Sequence, residues 1–208
     1  MTNLLQIDTS KRTGRSISRL LAKEFVEQWI ASNPDSIVTY RDISQFPISH
    51  ITAEWMDAEA SSSSDRSILD SISELFSSKE LVDELLLNDR YLISLPILNF
   101  IVPSTLKTYI DLIARTNLAV TENKHDSQGL LHGKKLLAIA NQINNYPRNK
   151  NQDEVIKKFE SYFRYIFEYI GVTDINFIYA YNQSEANLDR DLAIANARIS
   201  INNFISDW

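Results

Sequence analysis

The chain contains no cysteine. That excludes a disulfide framework, a thiolate nucleophile and a thiolate metal site, and it suits a reducing compartment. Redox chemistry would have to come from a bound cofactor. Only four glycines occur, Gly14, Gly129, Gly133 and Gly171. All are expected between the regular elements, where a positive φ or a helix stop would use them, and none is left for a glycine-rich nucleotide loop. No apolar run approaches the roughly 20 residues needed to span a bilayer. The start Met1-Thr2-Asn3-Leu4-Leu5-Gln6-Ile7-Asp8 has neither the basic beginning nor the long apolar stretch of a signal peptide. A cytoplasmic location without a membrane partner is expected. Positive charge is scarce as well. The net charge is -6, and the pairs Lys11-Arg12 and Lys134-Lys135 are too short to make the basic face that nucleic acid requires. His50, His125 and His132 stand at spacings that match no metal motif, so no metal is expected.

What is present is the balance of an ordinary globular chain. Apolar residues make up 44% and charged residues 23% of 208 positions, which fits one domain spanning residues 1–208. Five short β-rich runs read as buried strands: Leu4-Leu5-Gln6-Ile7, Ile37-Val38-Thr39-Tyr40, Tyr91-Leu92-Ile93-Ser94-Leu95, Leu136-Leu137-Ala138-Ile139 and Ile175-Asn176-Phe177-Ile178-Tyr179. Segments of helical period lie between and after them. Their apolar faces are Ile17, Leu20, Leu21, Phe25 and Ile30; Ile68, Leu69, Ile72, Leu75 and Phe76; Leu106, Ile110 and Ile113; Val155, Phe159, Phe163, Ile166 and Phe167; and Leu188, Leu192, Ile199 and Phe204. Strict alternation of strand and helix demands right-handed crossovers, and therefore a parallel sheet covered on both faces. The expected fold class is α/β: a flavodoxin-like, doubly wound five-stranded parallel sheet of order 2-1-3-4-5. The stretch from Phe46 to Asp65, with its run Ser61-Ser62-Ser63-Ser64, reads as a surface excursion. Glu80, Asp83 and Glu84 read as a solvated set following the second helix.

In such a sheet, ligands bind beyond the carboxyl ends of the strands where strand order reverses. Three loops matter there: Asp8 to Arg19, Pro96 to Ser104 and Ala140 to Lys150. The first brings Ser10, Ser16 and Ser18 together with Gly14 just ahead of a helix. Free amides and the positive end of the helix dipole attract phosphate at such a place, and the hydroxyls could add donors. One of these serines could equally be an N-cap.

The chain resembles the FMN-dependent NADH azoreductase/quinone reductase family, and the resemblance rests on collinear landmarks. Ser10, Gly14, Ser16 and Ser18 match the spacing of that family's phosphate loop. Phe25-Val26-Glu27-Gln28-Trp29, Arg41-Asp42, Pro96-Ile97-Leu98-Asn99-Phe100 and the run from Ser104 to Arg115 follow in order. Gly129-Leu130, Gly133-Lys134-Lys135 and Ile170-Gly171-Val172-Thr173-Asp174 complete the series. The resemblance implies an FMN at the edge of a homodimer, reduced by NADH or NADPH and passing electrons to a quinone-like or azo aromatic compound. It places Ser10, Ser16, Ile17 and Ser18 on the phosphate. It runs Pro96, Ile97, Leu98, Asn99 and Phe100 along the isoalloxazine ring, with Asn99 as a polar contact or as the cap of a turn. Asn141, Gln142, Ile143 and Asn144 would approach the ring from the next loop. No catalytic side chain is implied.

The chain departs from the family beside the ring. Ile97 and Leu98 stand where Met and Tyr are expected, and Asn141-Gln142-Ile143-Asn144 replaces Ser-Arg-Gly-Gly. A side chain at Ile143 or Asn144 would fill space that glycine leaves open, and would resist a positive φ. Ala119-Val120-Thr121-Glu122-Asn123-Lys124 lacks the family's aromatics, and Ala180-Tyr181-Asn182 replaces Ala-Glu-Gly. Three readings follow: the FMN-dependent reductase, a relative that has lost flavin reduction and binds or transforms another aromatic molecule, and a non-catalytic dimeric module. On the fourth helix, Tyr162, Tyr165 and Tyr169 lie on another side from the phenylalanines, where they could be solvated or pack a partner subunit.

Overall fold

The strand β1 (Leu4–Asp8) is buried along its whole length and lies between β2 (Val38–Asp42) and β3 (Arg90–Pro96), with every pairing parallel. The computed structural model describes residues 2–53, 73–97, 102–114, 120–123, 126–143, 152–182 and 187–208. A strand buried on both faces has no reason to alternate, which is why β1 and β3 read as apolar runs. Outside β3 come β6 (Lys135–Ile143) and then β7 (Asp174–Asn182), so the five-stranded sheet has the order β2-β1-β3-β6-β7. This is the expected 2-1-3-4-5 arrangement, with a small antiparallel hairpin, β4 (Val120–Asn123) and β5 (Asp126–Gly129), inserted before β6. That hairpin is absent from the pattern reading, because its polar residues carry no apolar period.

Helices α1 (Ile17–Ser32) and α5 (Asn187–Phe204) cover one face, where Leu4, Leu92, Leu137, Ile139 and Ile178 meet Phe25, Trp29, Ile194 and Ile201. Helices α2 (Ser73–Leu87), α3 (Ser104–Ala114) and α4 (Gln152–Tyr169) cover the other, where Leu5, Ile7, Ile93 and Leu136 meet Leu81, Leu106, Tyr109, Phe159 and Phe163. Phe159, Phe163 and Phe167 are fully buried and form a ring series along α4, with Phe163 and Phe167 stacked at 4.7 Å. No described helix is long and apolar enough to cross a membrane.

Several local expectations are corrected. Strand β2 is an edge rather than a buried strand, and Tyr40 is 55% exposed. In α1 Trp29 faces inward with Phe25, while Ile30 faces outward. Glu80, Asp83 and Glu84 lie inside α2, not after it, and Glu84 is paired with Arg41 through contacts of 2.6 and 3.1 Å. Ile68, Leu69 and Ile72 lie outside the described residues. In α5, Leu188, Leu192 and Ile199 are exposed, and Ala193, Ile194, Ala197 and Ile201 face the sheet. That helix is apolar on two sides, so period alone could not choose between them, and its small alanines let it sit close to β7. Of the four glycines, Gly129 ends β5 instead of lying in a loop.

Gly129 also carries a close backbone approach. A Cβ there would lie 2.1 Å from the Ile170 carbonyl carbon, and the neighbouring Gly171 turns the chain at φ 105°. Backbone therefore packs on backbone where the hairpin meets the end of α4, fixed by the bond from Leu131 N to Ile170 O. Gly129→Ala should cost at least about 1–3 kcal/mol, the usual range for overpacking, read as a lower denaturant midpoint. A stability unchanged within error would show that the contact yields freely.

Candidate flavin site

The carboxyl end of β1 is held by a single arginine. Arg19, in the first turn of α1, donates from Nη1 to Asp8 at 3.1 Å, to Asp42 at 2.6 Å and to Tyr40 Oη at 3.2 Å. Its Nη2 donates to Asp42 at 2.8 Å and to Ser44 Oγ at 2.7 Å, and its Nε to the Ser10 carbonyl at 2.8 Å. The planar fork suits this set, because a guanidinium can face a carboxylate with two parallel bonds and still donate sideways. Asp8 is 3% exposed and also accepts from Ser94 Oγ at 2.5 Å and from Tyr40 Oη at 2.9 Å. The group ties together β1, β2, β3 and the loop that leads into α1.

Protonation follows from these contacts. Burial alone would raise the Asp42 carboxyl, but the hydrogen bonds from Arg19, Ser44 and the Gln45 amide hold it well below the usual range. Burial, and then the carboxylate of Asp8, push Tyr40 up to about 12. For Arg19, burial pulls downward, and the bond to Asp42 with the charges of Asp8 and Asp42 more than offsets it. Sequence reading used Asp42 only as a landmark and missed Arg19 and Ser44, because four residues spread from position 8 to position 44 meet only after β1 and β2 pair.

Around this clamp stand the expected phosphate residues. Ser16 is the N-cap of α1, its Oγ accepting from the Arg19 amide at 3.4 Å and lying 3.2 Å from Ser18 Oγ. The N-cap and anion readings are thus compatible in one residue: a bond this long leaves the hydroxyl free to turn to a better partner. Ser10 Oγ has a similarly long contact, 3.4 Å from the Arg12 amide. Ile17 and Ser18 have buried side chains, but their amides fall in the first turn, where a helix offers no carbonyl. Thr9 Oγ1, next in the chain, is buried with no hydrogen-bond partner among the described residues. The first turn of α1 holds no acidic residue, whereas those of α4 and α5 hold Asp153, Glu154 and Asp189. Lys11, Arg12 and Arg15 are exposed beside it. Donors with weak present partners, an unneutralised dipole end and flanking cations fit a phosphate.

The ring side is described in part. Pro96 ends β3, and the Ile97 amide donates to the Asn141 carbonyl at 2.8 Å. The Ile97 side chain is packed in the α3/α4 core. Leu98, Asn99, Phe100 and Asn144 lie outside the described residues. Asn141, Gln142 and Ile143 do not begin a loop as expected. They extend β6, paired in register with Ala180, Tyr181 and Asn182 of β7, and Asn141 Nδ2 donates to the Ala180 carbonyl at 2.9 Å. Extended backbone accepts any side chain, so the anticipated conformational penalty for lacking glycine does not arise at Ile143. Tyr181, on the edge strand, stacks on Tyr179 at 5.1 Å, and Tyr179 donates to Glu160 at 2.6 Å.

A family model described as flavodoxin-like fold matches residues 2–204. The FMN-dependent NADH:quinone oxidoreductase of Nostoc punctiforme is 39% identical over 209 residues and covers 100% of both chains. The chain belongs to the FMN-dependent NADH:quinone oxidoreductase family. A second member, FMN-dependent NADH:quinone oxidoreductase 2 of Trichormus variabilis, is 34% identical over 209 residues, again with 100% of both chains covered. Among solved structures, the azoreductase AzrA superposes with a TM-score of 0.83 at 14% identity over 100% of both chains. An FMN-dependent NADH-azoreductase from Bacillus anthracis, determined in complex with FMN, gives 0.80 at 20% identity, covering 99% of this chain and 98% of its own. At such identities the superpositions establish a shared fold.

Removing the arginine would leave Asp8 and Asp42 buried without their cation. Arg19→Ala should therefore destabilise the fold by about 3–5 kcal/mol, measured by chemical denaturation at neutral pH. Asp42 takes up its proton near pH 4 when unfolded and only at lower pH when folded. Its share of the stability is then complete above about pH 4 and is lost as the pH falls toward the folded value. Asp42→Asn should flatten the acid limb of the stability curve below about pH 4, and an unchanged limb would show that Asp42 is not held in its charged form.

Proposed function

We propose that this protein is an FMN-dependent oxidoreductase that uses NADH to reduce quinone-like or azo aromatic compounds. The observation that carries the reading is the first turn of α1: amides of Ile17 and Ser18 at a helix start, where no preceding turn offers a carbonyl, hydroxyls of Ser10, Ser16 and Ser18, and no acidic residue. Relatives spanning the full chain bear that activity in their names. Bound FMN would supply the chemistry, taking hydride from NADH and returning electrons to the acceptor. The chain itself holds the phosphate at α1 and sets one wall through the β6–β7 ladder. The reading of a relative that has lost flavin reduction rested on several departures beside the ring, and for one of them, Ile143 in place of glycine, the extended strand removes the conformational ground. NADPH as an alternative donor and a cytoplasmic site of action belong to the same proposal.

We also infer a homodimer. Tyr165 and Tyr169 on α4 are exposed, at 76% and 51%, and Leu188, Leu192 and Ile199 make an apolar stripe on the outer side of α5; such side chains suit a partner surface. A monomeric mass by light scattering at micromolar concentration would remove this inference.

The test is direct. Purified protein mixed with FMN and passed through a desalting column should keep a flavin absorption band and oxidise NADH when a quinone is supplied. Ser16→Glu should abolish flavin retention while leaving the circular dichroism spectrum unchanged, because a carboxylate would meet the phosphate. Undiminished retention in that variant would overturn the phosphate assignment.

A further inference from the structure

A loop that receives an anion must turn its carbonyl oxygens away from it, since each carries the negative end of a peptide dipole. The Ser10 carbonyl sits in the middle of the phosphate loop, and two groups pull it inward: Arg19 Nε at 2.8 Å and Ser44 Oγ at 2.9 Å. Ser44 comes from the turn after β2, the edge strand, and it meets the phosphate loop at the Ser10 backbone carbonyl. Its hydroxyl has one proton and two acceptors at 2.9 Å, Ser10 O and Asp42 Oδ1. Asp42 Oδ1 already receives Arg19 Nη2 and the amides of Ser44 and Gln45, so the proton is best given to Ser10.

Arg19 cannot itself serve as a phosphate ligand in this arrangement. All five of its N–H groups are engaged: Nε with Ser10, Nη1 with Asp8, Tyr40 and Asp42, and Nη2 with Asp42 and Ser44. The cation most central to the loop is spent on holding the backbone. We propose that Arg19 and Ser44 are positioning residues for the flavin phosphate, clamping the Ser10 carbonyl inward so that loop 10–16 faces the phosphate with amides and hydroxyls alone. Asp42 orients both clamp members, which connects the outer strand β2 to cofactor affinity without a direct contact.

The inference rests on the FMN reading above, and the comparison of FMN with riboflavin separates the two. Riboflavin has the same ring and ribityl chain without the phosphate. Dissociation constants for both flavins are measured by fluorescence quenching on the wild type, Ser44→Ala, Arg19→Lys and Ser44→Thr. The wild type should prefer FMN. Ser44→Ala should weaken FMN about fivefold, the worth of one ordinary hydrogen bond, and leave riboflavin unchanged. Arg19→Lys keeps the charge and loses the fork, and should weaken FMN about tenfold or more, again without loss for riboflavin. Ser44→Thr retains the hydroxyl and should restore the preference. An unchanged FMN preference in Ser44→Ala, or an equal loss for both flavins, would overturn the clamp while the FMN reading stood. A wild type that binds no FMN, or binds both flavins alike, would overturn both.

Discussion

The contact between Arg19 and Asp42 decides how the carboxyl ends of three strands and one loop sit together. Asp8 ends β1, Asp42 ends β2, Ser94 lies in β3, and Arg19 enters from the helix that follows β1. Two carboxylates this deeply buried would be costly without a cation and matching donors. The cation brings a constraint in return. While its Nη atoms reach both carboxylates, its Nε donates to the Ser10 carbonyl, so the cation that neutralises β1 and β2 also holds the loop. A clamp that costs much to break is therefore coupled to the segment where an anion would arrive, and the fold and the site cannot be altered independently at these positions.

The opposite end of the site is governed by strand length. Strand β6 keeps its partner β7 through Ile143, two residues past the level where Pro96 ends β3. The paired backbone there is fixed by ladder bonds instead of by loop conformation, and glycine is needed in neither role. The two walls proposed for the flavin, the ladder on one side and the clamped loop on the other, both take their positions from the sheet. The tyrosine pair on β7 continues the same logic. Tyr179 is anchored through Glu160 on α4, with its hydroxyl held protonated by burial and by that carboxylate, and Tyr181 stacks on it at the carboxyl end of the edge strand.

How much of this could be read in advance depended on the range of the interaction. Strand order was legible, because apolar runs such as Leu92-Ile93 are local signals, and so was the start of α1 at Ser16. The inward face of α5 was not, since Leu188, Leu192 and Ile199 keep a helical period as well as Ile194 and Ile201 do, and only docking against β7 selects a side. The polar hairpin β4–β5 left no hydrophobic trace. The clamp was the least legible of all. Asp8 closes an apolar run, Arg19 sits inside a helix, and Asp42 with Ser44 looks like the polar end of a strand; nothing short of the β1–β2 register brings them within hydrogen-bonding distance.

A chain with only four glycines must make an anion site by other means. A glycine-rich loop exposes amides by bending freely and keeping side chains out of the way. Here Gly14 is the loop's only glycine, it has open space around it, and it does not take a positive φ. In the site proposed above, a loop that ends in a helix presents the amides, the hydroxyls of Ser10, Ser16 and Ser18 stand in for further backbone donors, and Arg19 draws aside the Ser10 carbonyl. Stiffness is the consequence. A loop held by charged bonds loses little conformational entropy when its ligand arrives, so affinity here is to be sought in how firmly the clamp is closed before binding.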